Sequence, residues 1–373
     1  MSNQPDHSLS DGGLAERMAR LIVHGRAPYN AEPPLDRLRA SWRTAAADFY
    51  VRSHGDLPAI DAEAYRLEVG GAVGRKLSLS LTEIQAMPQA TVTATLQCAG
   101  NRRADMRAVA PVSGDPWDAG AIGTADWTGP RLADVLAAAG FDRAHAQEDL
   151  HVAFACHDTV EGEAYRYGAS IPMAKALAPE TLLAHAMNGE PLLPEHGFPL
   201  RAVVPGYAGV RSPKWLASIT VQDRPSDNPI QAGDYKFLPP QVDPDKVGPD
   251  DGITIETMPL NSAICEPARG ASLPAGLTAV RGYAVCGDRT VARVDVSGDS
   301  GRTWAQASLE REAEAPFAWT FWSIDLDLPP GEHELAVRAW DAAGQTQPAA
   351  ADDTWNRKGY LSTAWHRVRV TVG

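Results

Sequence analysis

The chain has 373 residues, of which 44% are hydrophobic and 22% are charged, and its formal net charge is −13. This length and composition are typical of a globular protein with about two or three domains, and no apolar run approaches the ~18 residues of a transmembrane helix. The acidic balance argues against nucleic acid as a partner, because such binding depends on basic side chains that neutralise phosphates.

The N-terminal residues are polar and mixed in charge. We predict that residues 1–28 form a polar arm or a surface helix, with a helical pattern around Leu14–Val23. They contain no basic region followed by an apolar core and no twin arginine, so they show no export signal. The sequence therefore predicts a cytoplasmic protein, although a periplasmic protein whose leader had been removed would look the same.

Residues 29–240 are predicted to form a first domain of mixed helices and strands. Strands are expected at Tyr65–Val69, Leu77–Leu81, Thr91–Leu96 and His151–Cys156. A helix is expected at Pro130–Ala139, with proline at its first position and Gly140 as its stop. A polar loop with Asp158 follows the last of these strands. Helices and strands mixed without a regular alternation indicate an α+β domain.

A change in composition and in the pattern of apolar residues marks a second domain. Proline, aspartate and glycine dominate Asp223–Gly252, as in interdomain linkers. After it, short alternating segments separated by turn residues recur about every ten residues, which is typical of an antiparallel β-sandwich. We predict an all-β, immunoglobulin-like sandwich over residues 255–373, and we place the divisions of the chain at 1–28, 29–240 and 241–373.

The stretch TLQCAGNRRADM carries the strongest chemical signal. It places Cys98 at the end of a strand, beside a glycine turn and next to Arg102 and Arg103. A thiolate is a soft ligand for transition metals, and guanidinium groups bind oxyanions in bidentate fashion. The stretch therefore predicts a metal at Cys98 beside an anionic substrate. A lone cysteine is more often a small buried residue, and one of the two arginines is expected to form a structural ion pair.

Further cationic or titratable side chains lie in segments rich in glycine and proline. These are Arg52, His54, His196, Arg201, Arg211 and Lys214. Several such donors on loops are typical of a site for an anionic ligand, although each one alone is equally well a solvated surface charge. The four cysteines form no CxxC pair, and no GxGxxG, P-loop, HExxH or GxSxG motif is present. Structural zinc, nucleotide and common hydrolase sites are therefore disfavoured.

These residues resemble the sulfite oxidase family. CAGNRR, preceded by TLQ, is similar to the molybdenum-ligand motif of that family. The segments YNAEPP, RSHGDLP, EHGFPLR, RSPKWL and GDYK are similar to family segments in the same order. The resemblance extends over about residues 28–373. It implies a molybdopterin-binding α+β domain of the sulfite oxidase fold, followed by an immunoglobulin-like sandwich that forms a homodimer.

The resemblance also implies roles for individual residues. Cys98 would be the only protein ligand of molybdenum in a molybdopterin cofactor. Arg52, Arg103, Trp117 and Tyr235 match the substrate pocket. Arg52, His54, Asp158, His196, Arg201, Ser212 and Lys214 match positions that hold the cofactor. A carboxylate there can accept from a pterin amino group. Arg103 is then the substrate residue of the motif, and Arg102 is the structural one.

One position departs from the family pattern. Lys358, beside Arg357, stands in WNRKG where sulfite-oxidising members have an arginine. Positive charge is kept, but the planar fork that suits an oxyanion is lost. The retained charge favours sulfite over nitrate.

The activity implied is oxidation of sulfite to sulfate by oxygen-atom transfer, with Lys358 near the substrate. Electrons would pass to an external acceptor such as a basic cytochrome c, which the acidic charge suits. No CxxCH motif occurs, so we expect no haem in this chain. Two alternatives stay open. One is a related molybdenum enzyme acting on nitrate or sulfane sulfur, and the other is a molybdenum-free binding or assembly protein.

Overall fold

Strands dominate the fold. A computed structural model describes residues 11–142, 149–238, 246 and 251–373. The helices in this part of the chain are short, and none of them is long and apolar enough to cross a membrane. The architecture therefore depends mainly on how the sheets pack.

The N-terminal segment is integrated into the first domain. Its elements are α1 (Asp11–Met18), β1 (Ile22–Arg26), β2 (Tyr29–Glu32), α2 (Leu35–Arg39) and β3 (Val51–Arg52). Strands β1, β2 and β3 form an antiparallel sheet, and Leu14 and Met18 of α1 pack against a buried cluster around Tyr29. The predicted helical pattern to Val23 is wrong beyond Met18, because the chain turns into β1. Residues 1–10 of the predicted arm lie outside the described residues.

Two larger sheets form the rest of the first domain. Their elements, with the short helices between them, are β4 (Arg66–Gly71), β5 (Leu77–Ser80), α3 (Leu81–Ala86), β6 (Gln89–Gln97), α4 (Arg103–Arg107), β7 (Ile122–Pro130), α5 (Leu132–Ala138), β8 (His151–Thr159), β9 (Arg166–Pro172), α6 (Met173–Ala176), β10 (Leu182–Ala184), β11 (Ala186–Met187), β12 (Glu190–Pro191), β13 (Arg201–Val203), β14 (Leu216–Gln222) and β15 (Lys236–Phe237). One sheet has the order β5-β4-β14-β8-β9 and the other β12-β11-β7-β6. Strand β10 pairs with β13. The predicted α+β architecture is confirmed.

Helix α5 shows how the sequence forms the core. Leu132, Val135 and Leu136 are spaced so that they share one helix face, and all three are fully buried in the cluster that includes the five-stranded sheet. Burying each such side chain contributes about 1.5–3 kcal/mol. The helix begins at Leu132 and not at Pro130 as predicted, because Pro130 completes β7. Gly140, with a φ of +76°, follows its end as predicted.

The strand predictions hold, with one change that concerns the site. The strands predicted between residues 65 and 96 are confirmed as β4, β5 and β6. Strand β8 continues to Thr159, so Asp158 lies in a strand and not in a loop. The pairing of β8 with β9 is irregular between Ala155 and Thr159. Such irregularities redirect side chains locally, and they often lie next to functional sites.

The second domain is a β-sandwich. Strand β16 (Ile253–Thr254) pairs with β15 and precedes the sandwich. The strands of the sandwich are β17 (Asn261–Glu266), β18 (Ser272–Leu273), β19 (Gly276–Val285), β20 (Val291–Ser297), β21 (Ala305–Gln306), β22 (Ser308–Glu310), β23 (Thr320–Leu328), β24 (Gly331–Asp341) and β25 (His366–Val372). The two sheets have the orders β17-β19-β23-β22 and β18-β25-β24-β20-β21. Ile264 and Trp322 of one sheet and Val294 and Leu335 of the other meet in a single core. The predicted sandwich is confirmed, whereas the boundary between 240 and 241 lies outside the described residues and stays a prediction.

The two domains meet on the loop between β6 and α4. Arg102 has a left-handed backbone with a φ of +65°, and its Nη1 donates to Asn261 Oδ1 at 2.8 Å and to the Ser262 carbonyl at 3.1 Å. The backbone N–H of Leu361 donates to the carbonyl of Ala99 at 2.8 Å. Arg102 is fully buried, and its contacts are those of a structural residue. The second domain therefore helps to fix this loop.

Candidate functional site

One cleft in the first domain collects most of the predicted site residues. It contains about 630 Å³ of empty space, part of which is open to solvent. Nine of the predicted residues line it, namely Arg52, His54, Cys98, Asp158, His196, Arg201, Ser212, Lys214 and Tyr235. They come from widely separated segments, so only the folded chain brings them together.

Cys98 lies where β6 ends and the chain turns toward α4. It is 5% exposed, and its Sγ accepts a hydrogen bond from the backbone N–H of Gly100 at 3.4 Å. Burial raises the pKa of the thiol, while the charges of Arg103 and Arg52 act in the opposite direction. A thiol in such a place is held as a thiolate when a bound metal replaces its proton.

Arg103 begins α4, and backbone carbonyls hold its guanidinium group. Nε donates to the carbonyl of Lys358 and Nη1 to that of Asp115, each at 3.0 Å. The guanidinium carbon lies 5.3 Å from the centre of the Tyr360 ring, where a cation is attracted to the ring face. Arg103 does not line the cleft itself, but its positive charge favours the thiolate form of Cys98 and so lowers the pKa of that thiol.

Three glycines surround Arg103 so closely that no side chain fits in their places. A Cβ atom on Gly100 would lie 2.5 Å from Arg103 Nη2, one on Gly114 would lie 2.7 Å from Nη1, and one on Gly359 would lie 2.5 Å from Cγ. Gly114 and Gly359 also have positive φ values of +91° and +62°. The position of the arginine thus depends on glycine at three separate points of the chain.

His54 and Tyr235 form a hydrogen-bonded pair in the cleft, with 2.8 Å between Nε2 and the phenol oxygen. The Tyr235 ring stacks on Tyr360 of the second domain, with 4.9 Å between the ring centres. Burial lowers the pKa of His54 well below its ordinary value, and nearby cations add to the effect, so the imidazole is neutral at pH 7. Tyr235 follows a π-helical turn over Ile230–Asp234, inside the segment whose composition predicted a linker.

Two basic side chains of the cleft, the half-buried Lys214 and the buried Arg201, are anchored by one turn, Pro194–His196. Lys214 Nζ donates to the carbonyl of Glu195 at 2.9 Å. Arg201 Nη1 donates to the carbonyl of His196 at 3.0 Å. Burial lowers the pKa of Lys214 to about 7, so an anionic ligand beside it would favour its charged form.

His196 and Ser212 add neutral polar groups to the cleft wall. His196 Nε2 lies 2.7 Å from the carbonyl of Ala46, so this nitrogen carries the proton and donates it. Burial lowers the pKa of His196 to about 4, which leaves Nδ1 of the neutral ring as an acceptor. Ser212 Oγ accepts from the backbone N–H of Val204 at 3.0 Å.

Asp158 has a buried carboxylate oxygen, Oδ1, with no hydrogen-bond partner among the described residues. Burial raises the pKa of Asp158 to about 6, against the opposing charge of Lys214. A buried polar atom without a partner is costly, so this oxygen indicates where a donor group of a ligand would bind. A pterin amino group is a donor of this kind.

Trp117 and Arg211 lie outside the cleft lining. Trp117 is fully buried with its ring edge-to-face against His24 at 4.8 Å, and its Nε1 has no partner within the described part of the chain. Arg211, a candidate by its loop position, donates to the carbonyl of Ile255 at 2.9 Å and to Gln231. Its role in the structure is therefore to hold neighbouring backbone and not to face the cleft.

Lys358 also lies outside the lining. Its Nζ forms an ion pair with Asp234 Oδ1 at 3.1 Å, and both side chains are partly exposed. The positive charge expected next to the substrate is therefore partly neutralised by the residue that precedes Tyr235.

Several residues of the lining were missed by sequence reasoning. They are Tyr50, Ser53, Tyr167, Glu195 and Trp215, among others. Ser53 Oγ accepts from Lys214 Nζ at 3.1 Å. Its place between Arg52 and His54 was a signal that could have identified it, whereas the aromatic residues read as ordinary core.

The donors of the cleft fit a molybdopterin cofactor, which carries a dithiolene, a pterin with amino groups and a phosphate. Cys98 offers a soft ligand for the metal. Lys214 and Arg201 suit a phosphate, and the unpaired oxygen of Asp158 suits a pterin donor.

Comparison with known families agrees with this chemistry. Residues 54–230 match the family model described as "Oxidoreductase molybdopterin binding domain". Residues 253–373 match the model described as "Mo-co oxidoreductase dimerisation domain". The first match contains most of the cleft, and the second covers the sandwich.

Similar proteins extend over nearly the whole chain. Mitochondrial sulfite oxidase of Homo sapiens is 43% identical over 365 residues, which are 95% of this chain and 66% of that protein. Sulfite oxidase of Arabidopsis thaliana is 38% identical over 375 residues, which are 96% of this chain and 95% of that protein. The solved structure of sulfane dehydrogenase SoxCD from Paracoccus pantotrophus has a TM-score of 0.79 at 24% identity, covering 98% of this chain and 92% of that chain, and shows a shared fold.

Proposed function

The chain belongs to the sulfite oxidase family, and on this premise we propose that it is a molybdenum-cofactor oxidoreductase that converts sulfite to sulfate. In the balanced reaction sulfite and water give sulfate, two protons and two electrons. The observation that carries the proposal is the buried thiol of Cys98 near Arg52 and Arg103, in a cleft whose other donors suit the organic part of the cofactor.

The cleft residues divide between the metal and the organic part of the cofactor. Cys98 is assigned to molybdenum. The residues assigned to the organic part are Arg52, His54, Asp158, His196, Arg201, Ser212 and Lys214. When bound, the cofactor supplies oxygen-atom transfer and takes up two electrons for each sulfite oxidised.

The chain's own contribution to the reaction is to bind and orient the oxyanion. Arg52 and Arg103 provide two cationic groups near Cys98. Burial raises the pKa of Tyr235, so its phenol stays protonated and can donate to a substrate oxygen. Losing one such charge-assisted contact typically costs about 3–4 kcal/mol of transition-state stabilisation, or about 10²–10³-fold in rate. The role of Trp117 stays a prediction from the resemblance.

The ion pair of Lys358 with Asp234 favours a second candidate, reduction of nitrate. Free positive charge at Lys358 would favour the sulfite dianion over the nitrate monoanion, and Asp234 offsets that charge. Specificity depends on the difference between the affinities for sulfite and for nitrate. Neutralising the charge of Lys358 makes that difference smaller. Assays of one preparation with sulfite and with nitrate separate the two candidates.

We further propose a homodimer and a separate electron acceptor. The match of residues 253–373 to a dimerisation domain supports the first. The net charge of −13 supports a basic acceptor such as a cytochrome c.

The proposed function is tested by metal analysis together with turnover. Protein produced with the cofactor available should contain stoichiometric molybdenum and reduce ferricyanide or cytochrome c when sulfite is added. Folded protein that takes up no molybdenum would instead support the molybdenum-free binding protein. Loaded protein that reduces neither acceptor with sulfite would contradict the substrate.

A further inference from the structure

The N-terminal helix reaches the cleft through one arginine. Arg17 of α1 pairs with Glu195, with 2.5 Å between Nε and Oε1 and 3.1 Å between Nη2 and Oε2. Leu14 and Met18 lie on the same helix face as Arg17 and pack inward, which directs the guanidinium group to the protein interior. Two parallel bonds from a guanidinium group to a carboxylate make a strong and directional contact.

Glu195 is the middle residue of the Pro194–His196 turn, which anchors Lys214 and Arg201. Its side chain is 2% exposed, and its carbonyl accepts from Lys214. The carbonyl of the next residue, His196, accepts from Arg201. Lys214 also donates to Ser53 Oγ and Arg201 to the carbonyl of Ser212, so the Pro194–His196 turn is the anchor that the two cationic groups share.

A Glu195 carboxylate without its Arg17 partner would weaken the binding of an anionic ligand in the cleft. Burial opposes its ionisation, but the two-bond contact with Arg17 holds the pKa of the carboxyl below its ordinary value, so it is charged at pH 7. Without Arg17, the carboxylate would either stay charged and repel an anionic ligand, or take up a proton and lose its contact. Removing one partner of a buried pair usually costs more than the pair contributes.

We propose that Arg17 is a positioning residue for the cofactor: by neutralising the buried carboxylate of Glu195 at the cleft wall, it keeps the Pro194–His196 turn in place. This inference rests on the function proposed above, since it concerns retention of the same cofactor. A helix as short as α1 is not stable alone in water, so its docked state depends on Arg17 and on the apolar contacts beside it.

The proposal is tested by cofactor retention and not by turnover. Loaded wild type, Arg17→Ala, Glu195→Gln and the double variant are held at constant temperature and desalted at intervals, and protein-bound molybdenum and pterin are measured. Arg17→Ala should lose both about tenfold faster, which corresponds to about 1.4 kcal/mol. Glu195→Gln alone should retain the cofactor, because the glutamine amide oxygen can still accept from Arg17, whose side chain is 22% exposed to solvent.

The double variant separates positioning from simple destabilisation. Adding Glu195→Gln to Arg17→Ala removes the unpaired carboxylate, but it restores no contact between the turn and α1. The double variant should therefore lose molybdenum and pterin more slowly than Arg17→Ala. Arg293→Ala is the control for losing such an arginine away from the cleft, because Arg293 also forms a two-bond pair with a buried carboxylate, Asp295 of the second domain, which keeps Arg338 as a partner. Its retention should equal that of the wild type.

Each outcome decides the proposal. Retention by Arg17→Ala equal to that of Arg293→Ala would overturn it. So would a double variant that loses the cofactor as fast as Arg17→Ala. If Arg17→Ala is already poor in molybdenum when purified, a well-loaded double variant supports the proposal and a poorly loaded one overturns it. A wild type without molybdenum would contradict the proposed function, which is a different failure.

Discussion

Arg103 Nε donates to the backbone carbonyl of Lys358 at 3.0 Å, although the two residues are 255 positions apart. A guanidinium group that we assign to the substrate is thus held by the second domain. The side chain of Lys358 pairs at the same time with Asp234. Domain packing, in addition to the CAGNRR loop, therefore sets the position of Arg103.

Gly359→Ala should displace Arg103. The new Cβ would lie 2.5 Å from Arg103 Cγ, so the arginine side chain would have to move. Loss of a well-placed cation predicts a fall in kcat/KM for sulfite of about 10²-fold. The change in kcat/KM is measured by steady-state kinetics of the molybdenum-loaded variant and wild type.

Gly344→Ala is the control for backbone strain alone. Gly344 has a φ of +78°, similar to the +62° of Gly359, but no atom lies within 4 Å of its added Cβ. The positive φ alone should cost each variant about 1–2 kcal/mol of stability. If their kcat/KM values are equal, the proposed dependence of Arg103 on Gly359 is wrong.

Cys98→Ser should abolish sulfite turnover while the protein stays folded. Serine is close to cysteine in size, so packing is kept, but its oxygen is a harder ligand than sulfur. Cys286→Ser, at another buried cysteine in the second domain, should keep full turnover. Turnover of the two variants is compared, with circular dichroism to verify folding. Substantial activity of Cys98→Ser would contradict its assignment to the metal.

The sequence predicted the local features of the site well. Cys98 could be placed at a strand end, because alternating threonine and apolar residues are a local pattern that β6 retains. The cationic residues could be named from their glycine- and proline-rich segments. Their convergence in one cleft followed only from the resemblance, since spacing in sequence does not fix distance in the fold.

The contacts between distant residues could not be predicted. Arg17 and Glu195 are 178 positions apart, and Lys358 and Asp234 are 124 apart. Each pair consists of ordinary charged residues with no pattern that links them. Asp158 was predicted in a loop, because a polar residue stands at a buried position of β8 where strand recognition expects an apolar one.

Asp234→Asn should lower the KM for sulfite modestly, because it leaves the charge of Lys358 uncompensated. Both side chains are partly exposed, so we expect about a two- to threefold effect at low salt that shrinks as salt screens it. Asp227→Asn, at an exposed position nearby in sequence, should change little. An unchanged or higher KM for Asp234→Asn would show that Lys358 does not act on the substrate.

Turnover with a basic cytochrome c should fall steeply as ionic strength rises. Opposite charges steer the encounter, and salt screens that attraction. Ferricyanide is an anion and provides the control, because its reduction by an acidic protein should be unchanged or faster at high salt. Equal salt responses of the two acceptors would contradict electrostatic docking.

His366 should make stability depend on pH. The residue is buried between the domains, its Nδ1 accepts from the backbone N–H of Ile264 at 3.0 Å, and burial lowers its pKa to about 3. The unfolded chain takes up a proton below about pH 6.5, whereas the native ring stays neutral until about pH 3. The contribution of His366 to the free energy of unfolding is therefore complete above about pH 6.5. It is lost as the pH falls, by at most about 1.4 kcal/mol per pH unit.

His366→Asn tests this pH dependence, because asparagine keeps an acceptor for Ile264 but does not titrate. The thermal midpoint of the variant should fall less steeply than that of the wild type between pH 7 and 4.5. Scanning fluorimetry measures the thermal midpoints of the wild type and of His366→Asn. Midpoints that fall in parallel with pH would contradict this assignment.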